Sequence, residues 1–296
     1  MIRCSVAAGV RDDPYVGTAP PAQRWLLLEH PGPWRIDAVA GSGIEPKPLA
    51  ALLAAATGSR TRILLVRRPG RRTTADRVRR WLLVAPGAST VSGTWSAEDG
   101  ASGALQALAG RPPAATGAVE PVILVCAHGV HDACCAITGR PVAAALAQRW
   151  LEQVWECSHV GGDRFAPNVV LLPDGFYYGG LDPATAVATV AEHLAGRVVT
   201  TNLRGMARLP PALQAAAVAA LDRFGPLPAD AVAVTGSRHE GRYGAPGSRT
   251  YVDLQVAGVT DAVQAEVVAR TRAPAQLTCR ALRETTATEY QVERLG

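Results

Sequence analysis

The chain has 296 residues, of which 48% are hydrophobic and 19% charged, and its formal net charge at pH 7 is +5. This hydrophobic content allows a sizeable core and excludes a disordered chain, and the length favours two domains. The sequence holds no apolar stretch of the roughly 20 residues that span a bilayer, and Met1 is not followed by an apolar leader, so neither a membrane protein nor an exported one is expected.

The amino-terminal part of the chain predicts a small α/β unit. Residues 1–21 are rich in turn-forming residues. Three apolar runs predict strands and one Ala-rich run predicts a helix: Arg24–Glu29, Arg62–Arg67, Arg80–Ala85 and Pro48–Thr57. Strands that alternate with a helix favour a parallel or mixed sheet covered by helices. We therefore predict an α/β unit over residues 1–110, followed by a linker rich in Gly, Ala and Pro near residues 109–119.

The middle of the chain predicts a second unit in the order β-α-β-β-β-α. The predicted elements are strand 121–126, helix 140–153, strand 154–158, strand Asn168–Leu172, strand Phe176–Gly179 and helix Asp182–Leu194. Asp174 and Gly175 between two apolar runs are typical of a hairpin turn. Asp182 followed by Pro183 is a favourable helix start.

The carboxyl-terminal part predicts a short α+β region over residues 206–296. One face of Pro210–Phe224 is apolar at helical spacing, and Glu240–Gly244 is expected to be a flexible loop. Four later segments alternate apolar and polar residues and predict a small antiparallel sheet: Arg249–Val256, Glu266–Arg272, Gln276–Ala281 and Glu289–Leu295.

Candidate metal ligands are concentrated between Cys126 and Asp163, which contain four of the six cysteines and three of the six histidines. Cys126 ends a predicted strand, and the thiols of Cys134 and Cys135 precede a predicted helix. Cys157 ends the next predicted strand and is followed by His159. Thiolate and imidazole donors suit either zinc or an iron–sulfur cluster, although the spacing is neither a zinc knuckle nor a bacterial ferredoxin run.

Several unusual strings lie around these donors. They are C-A-H-G-V-H-D-A-C-C at 126–135, G-R-P at 139–141, H-V-G-G-D-R-F-A-P-N at 159–168 and L-P-D-G-F-Y-Y-G at 172–179, with D-P-Y-V-G-T-A at 13–19 and W-L-L-L-E-H-P-G-P-W at 25–34 upstream. In these strings and their order, residues 4–205 resemble the sucrase/ferredoxin-like family. The resemblance implies a thioredoxin-like [2Fe-2S] ferredoxin domain, which we place at residues 119–205, and no sugar chemistry.

The resemblance also implies a set of metal ligands. Fungal members have two cysteines at C-x8-C followed by H-x3-H, which by position gives Cys126, Cys135 and His159. The fourth position falls on Asp163 instead of histidine, so either Asp163 or Cys157 supplies the last donor. Because clusters are normally held by thiolates, we favour Cys157. Cys134 remains an alternative to Cys135.

The resemblance implies an electron-transfer protein that needs no catalytic residue. The glycines at 129, 161 and 162 let the backbone approach a compact inorganic group, so Gly129, Gly161 and Gly162 are predicted to contact a [2Fe-2S] cluster through their amides. His128 and His131 are either hydrogen-bond donors to cluster sulfur or solvated loop residues. A zinc-stabilised binding protein and a cysteine-based thiol oxidoreductase are the alternatives, although the second lacks a C-x-x-C motif.

The charge pattern and the other cysteines add further expectations. A net positive surface favours an acidic redox partner, while the scattered basic residues, with one dense run at Arg60–Arg80, do not predict nucleic-acid binding. Cys4 and Cys279 are expected to be inert buried residues. Clustered thiols persist in a reducing compartment, so a cytoplasmic location is expected.

Overall fold

The computed structural model describes residues 2–70, 79–88, 90–110 and 120–296. They form two compact units, which we name the sheet unit (Ala22–Gly161 and Pro167–Gly175) and the terminal unit (Met1–Pro21, Gly162–Ala166 and Phe176–Gly296). Apart from residues 109 and 110, the linker predicted near residues 109–119 lies outside the described residues. These units are compact in the folded chain, which does not tell which segments fold independently. The predicted domain limits at residues 110, 119 and 205 therefore stay predictions.

The described residues form helices and strands that alternate along most of the chain. The helices are α1 (Cys4–Val10), α2 (Pro46–Gly58), α3 (Ser102–Leu108), α4 (Ala133–Arg149), α5 (Pro183–Leu194) and α6 (Pro211–Phe224). The strands are β1 (Arg24–Glu29), β2 (Thr61–Arg67), β3 (Arg79–Val84), β4 (Val91–Trp95), β5 (Val122–Cys126), β6 (Val154–Cys157), β7 (Asn168–Leu172), β8 (Phe176–Gly179), β9 (Leu203–Met206), β10 (Val232–Glu240), β11 (Arg249–Val256), β12 (Val263–Thr271) and β13 (Thr288–Leu295). This mixture confirms the predicted α/β class.

Some predicted elements are wrong or shifted. Residues 1–21 contain the helix α1, and Glu240 belongs to strand β10 instead of a loop. Gln276–Ala281 is not a strand, because its only nearby ladder contact is an isolated bridge between Ala275 and Thr285. Helix α4 begins at Ala133, seven residues before the predicted start. The early start follows from the side chain of Asp132, which caps the helix and which the apolar spacing alone did not reveal.

The sheet unit contains two motifs of the same topology. Parallel strands β1 and β2 are linked through α2, and β3 lies antiparallel beside β1. Parallel strands β5 and β6 are linked through α4 in the same way, and β7 lies antiparallel beside β5. The two motifs meet where the last residues of β2 and β6 pair, with Val66 opposite Cys157 and Arg67 opposite Glu156. The carboxyl ends of β2 and β6 therefore meet at one junction.

Strand β1 is apolar on both faces because it is central in the sheet. Residues 25–28 (Trp-Leu-Leu-Leu) are completely inaccessible to solvent, as expected of a strand covered on both sides. Leu26 and Leu28 contribute to a core that also contains Leu52 of α2 and Trp81 of β3. This core supports the strand ends from which the loops of the junction emerge.

A buried ion pair closes the junction of the two motifs. Arg67 Nε lies 2.8 Å from Glu156 Oε2, and both side chains are less than a tenth exposed. Arg67 also donates to the carbonyl of Gly32 and lies over the ring of Trp34, 4.1 Å from its centroid. Glu156 precedes Cys157 in β6, so this pair fixes the strand end that carries a candidate ligand.

Replacing Arg67 with methionine is expected to lower the free energy of unfolding by about 3–5 kcal/mol, because Glu156 would stay buried without its partner. Urea denaturation measures the change. The matched control is Arg197→Met, which removes an ion pair with Glu192 whose side chains are 48% and 44% exposed. The control should change the free energy of unfolding much less, because solvent screens an exposed ion pair. Equal effects in the two variants would contradict the assignment of a structural role to the buried pair.

The terminal unit contains an antiparallel sheet in the strand order β10-β11-β12-β13, with α6 packed on it. The side chain of Asp13, which is 6% exposed, forms ion pairs with the guanidinium groups of Arg11, Arg164 and Arg272. Arg164 belongs to this cluster through its ion pair with Asp13, and its side chain is only 14% exposed. Among the helices of the described residues, none is long and apolar enough to cross a bilayer.

Candidate metal centre

The strand register brings two candidate ligands side by side. Cys126 is the last residue of β5 and Cys157 is the last residue of β6, and the two are direct partners in the parallel ladder. Residues paired in this way project to the same face of a sheet. The sulfurs of both residues are buried with them, since Cys126 is 1% and Cys157 0% exposed. Two strand ends thus present thiols together away from bulk water.

The start of α4 supplies the next thiol. A carboxylate oxygen of Asp132 accepts a hydrogen bond from the amide of Cys134 at 2.9 Å and caps the helix. This cap places Cys134 and Cys135 in the first turn, where both are fully buried. The side chain of Cys135 is hydrogen-bonded to Cys126. The structure therefore brings Cys135 to the sulfur of Cys126.

The surroundings of Cys126 favour its thiolate. The hydrogen bond from Cys135 lowers the pKa of Cys126 to about 7, although burial acts in the opposite direction. The backbone amides of His128 and Val160 donate to the same sulfur, and the charge of His159 acts in the same sense. Because a metal ligand must be deprotonated, a thiol with this pKa would bind a cation at a small proton cost near neutral pH.

The surroundings of Cys157, in contrast, disfavour its thiolate when no cation is bound. Burial raises the pKa of the Cys157 thiol well above its usual range, and neighbouring Cys126 raises it further, while Arg62 lowers it. Two adjacent buried thiolates repel each other unless a positive charge lies between them. A bound metal supplies that charge and reverses the local preference for the thiol. The donor chemistry of these two residues therefore fits a cationic centre.

The histidines of the two ligand loops are connected to one another. The amide of His159 donates to Nδ1 of His128, so the proton of His128 is on Nε2, which donates to the carbonyl of Arg35 at 2.8 Å. The ring of His131 stacks on that of His159 with centroids 3.7 Å apart. Arg62 donates to the carbonyl of His159 at 3.1 Å. These contacts hold the His159 loop against the Cys126 loop.

The predicted glycines differ in their surroundings. Gly161 and Gly162 both have positive φ, 87° and 78°, a conformation that glycine adopts at little cost. The amide of Gly129 donates to the carbonyl of Ala127. The amides that donate to Cys126 are instead those of His128 and Val160, which the sequence analysis did not identify. A contact between the three glycines and a cluster stays a prediction.

A further glycine, Gly139, controls the approach of α4 to the ligand strand. A Cβ atom on Gly139 would lie 2.1 Å from the carbonyl oxygen of Cys126 and 3.7 Å from the side chain of Val125. Only glycine therefore lets the helix pack this closely on the end of β5. The sequence analysis noted the G-R-P string at 139–141, but the string alone does not show which atoms the glycine contacts.

Replacing Gly139 with alanine is expected to separate α4 from β5 and to lower the free energy of unfolding by about 1–3 kcal/mol through overpacking. It should also reduce the amount of metal retained, since Cys126 and Cys135 lie on the two elements that move apart. Chemical denaturation and metal analysis measure the two effects. Gly58→Ala is the control, because its Cβ would meet nothing within 4 Å. Full metal content in Gly139→Ala would show that the close approach is unimportant.

Some of the possible donor atoms lie close together in pairs within each unit. In the sheet unit, ligand atoms of His131 and His159 lie within 4.8 Å of one another, and so do those of Asp132 and Cys134. In the terminal unit, the same holds for Cys4 and Cys279. Asp163, the alternative fourth ligand, is 3% exposed in a 3-10 turn of the terminal unit, Asp163–Phe165.

Comparison with known proteins identifies the family of the chain. The family model described as sucrase/ferredoxin-like matches residues 15–205, which include both ligand loops and most of the elements that carry them. Neither a curated protein nor a solved structure gives a match. Because the family model covers more than half of the chain, the protein belongs to the sucrase/ferredoxin-like family.

Proposed function

We propose that this protein is a non-enzymatic electron carrier that holds a [2Fe-2S] cluster on Cys126, Cys135, Cys157 and His159. The observation that carries the proposal is the ladder pairing of Cys126 with Cys157, together with the hydrogen bond from Cys135 to Cys126. Cys126 and Cys157 are ladder partners at two strand ends, Cys135 at the helix start is hydrogen-bonded to Cys126, and all three residues are buried. An imidazole can replace thiolate on one iron of such a cluster.

The chain's own residues would prepare the site and adjust its potential. A [2Fe-2S] cluster, when bound, accepts and releases one electron. The amides of His128 and Val160 donate to the Cys126 sulfur, and hydrogen bonds of this kind raise the potential of a thiolate-bound centre. The ring of His128 holds the backbone of His159, and the burial of all three cysteines excludes water.

The surroundings of the site suggest a class of partner. A pocket of about 360 Å³ lies beside the ligand loops, and Arg67, Arg140, Trp34 and His128 are among its lining residues. With a net charge of +5, the chain would attract an acidic redox protein. We propose such a partner and a cytoplasmic location, in which reduced thiols remain available for metal binding.

The first experiment is anaerobic purification followed by analysis of iron, acid-labile sulfide and zinc. We expect a red-brown protein with equal amounts of iron and sulfide, and an electron paramagnetic resonance signal after reduction with dithionite. A colourless protein that contains zinc would favour the zinc-stabilised binding protein. A colourless protein without metal, even after reconstitution with iron and sulfide, would favour the thiol oxidoreductase and overturn the proposal.

A further inference from the structure

A second pair of cysteines lies in the terminal unit. Cys4 is the first residue of α1, and Cys279 lies between β12 and β13. Their sulfurs are 3.5 Å apart, and the amide of Cys4 donates to the sulfur of Cys279 at 3.4 Å. Two sulfurs at this distance are in van der Waals contact, so nothing lies between them. The 275 positions that separate the two residues in the chain make this contact invisible in the sequence.

The two thiols differ in their access to solvent. Cys4 is completely buried, whereas Cys279 is partly exposed, which contradicts the expectation that both are inert buried residues. The guanidinium of Arg164 lies near enough to interact electrostatically with Cys4. A partly exposed thiol can be reached by a small oxidant. Cys279 is therefore the accessible member of the pair and Cys4 the buried one.

We propose that Cys4 and Cys279 form an oxidation site, at which a hydroperoxide converts the two thiols into a disulfide. The Cys279 sulfur attacks the terminal peroxide oxygen and the O–O bond breaks. The leaving oxygen takes the Cys279 thiol proton and departs as water or alcohol, and Cys279 becomes a sulfenic acid. The Cys4 sulfur then attacks the Cys279 sulfur. The S–S bond forms as the S–O bond breaks, and the hydroxide takes the Cys4 proton and leaves as water. Two thiols lose two electrons in total, which reduce the peroxide.

The disulfide would join α1 to the segment before β13. This segment contains the isolated bridge from Ala275 to Thr285 and little other regular structure, so the bond would restrain two peripheral parts of the unit. A covalent link between distant chain positions restricts the unfolded state. We therefore expect the oxidised protein to unfold at a higher temperature than the reduced protein. The inference does not depend on the proposed electron-transfer function, because neither thiol belongs to the ligand set.

The pair lies on two short tryptic peptides, so the bond can be mapped directly. Trypsin cleaves after Arg3, Arg11, Arg272 and Arg280 and releases residues 4–11 and 273–280, each with one cysteine. The purified full chain is treated with one equivalent of hydrogen peroxide, its remaining thiols are blocked with N-ethylmaleimide, and the digest is analysed by mass spectrometry. We expect peptides 4–11 and 273–280 to be linked, and the link to disappear after reduction with dithiothreitol.

The variants Cys4→Ser and Cys279→Ser test the order of the two steps. Cys4→Ser should accumulate a sulfenic acid on residue 279 that reacts with dimedone, and Cys279→Ser should leave Cys4 largely unmodified. The wild-type mapping does not depend on how well either variant folds. Recovery of both cysteines as maleimide adducts after peroxide treatment would overturn the inference. Linkage of either residue mainly to another cysteine would overturn it as well.

Discussion

Cys126→Ser is expected to remove nearly all bound iron and sulfide, the largest effect of any single substitution in this chain. Cys126 is the central thiol of the site, because it pairs with Cys157 in the ladder and receives the hydrogen bond from Cys135. Its thiolate is already favoured near pH 7, whereas a serine hydroxyl at the same place would stay protonated and is a poor ligand for iron. Iron analysis, visible absorption and circular dichroism of the anaerobically purified variant measure the outcome.

The adjacent cysteines in α4 provide a matched control. Both are fully buried in the same helical turn, and the side chain of Cys135 is hydrogen-bonded to Cys126. Cys135→Ser should therefore lose the cluster, and Cys134→Ser should keep it with an unchanged spectrum. Retention of the cluster in Cys135→Ser, together with its loss in Cys134→Ser, would show that Cys134 is the ligand in place of Cys135. Full iron content in Cys126→Ser would remove the basis of the proposed centre.

Separate substitution of Cys157 and Asp163 is expected to identify the fourth ligand, with loss of iron from Cys157→Ser and retention in Asp163→Asn. Cys157 is completely buried beside Cys126, and its thiolate is unfavourable without a cation. Loss of the softer donor should therefore cost more than loss of a carboxylate. Both changes conserve side-chain size, so misfolding should contribute little, and circular dichroism checks this.

The spectra distinguish a ligand from a residue that only supports one. A supporting residue typically changes metal affinity by about 10–100-fold and leaves the cluster type intact. Asp163→Asn should therefore show at most a shift of the absorption bands after reconstitution. Loss of the cluster from Asp163→Asn, with retention in Cys157→Ser, would reverse the assignment.

The local sequence pattern was sufficient to predict most of the strands and helices around the site. The apolar runs that end at Cys126 and Cys157 are strands β5 and β6, and Asp182 caps α5 as its sequence indicates. These elements are short, apolar and bounded by turn residues, so local preference and tertiary context agree. Helix α1 and strand β9 have weaker local signals, since their stability comes from packing, and the sequence analysis missed both.

Long-range contacts decided what the site residues touch. The predicted start of α4 was seven residues late, and the sequence analysis did not identify Asp132 as the cap of the helical turn that contains Cys134 and Cys135. The closeness of Gly139 to the carbonyl of Cys126 likewise depends on how a helix packs on a strand. Neither contact leaves a periodic pattern that a single sequence could reveal.

By itself, the sequence determined the α/β class, the family, and the two loops in which thiol and imidazole donors are concentrated. These follow from residue types and spacings, which act locally. Only the tertiary structure decided that Cys126 and Cys157 are ladder partners, and that Cys4 and Cys279 are in contact across the length of the chain. Ladder register and contacts between distant segments are set by the packing of whole elements, whose free energy is shared among many residues.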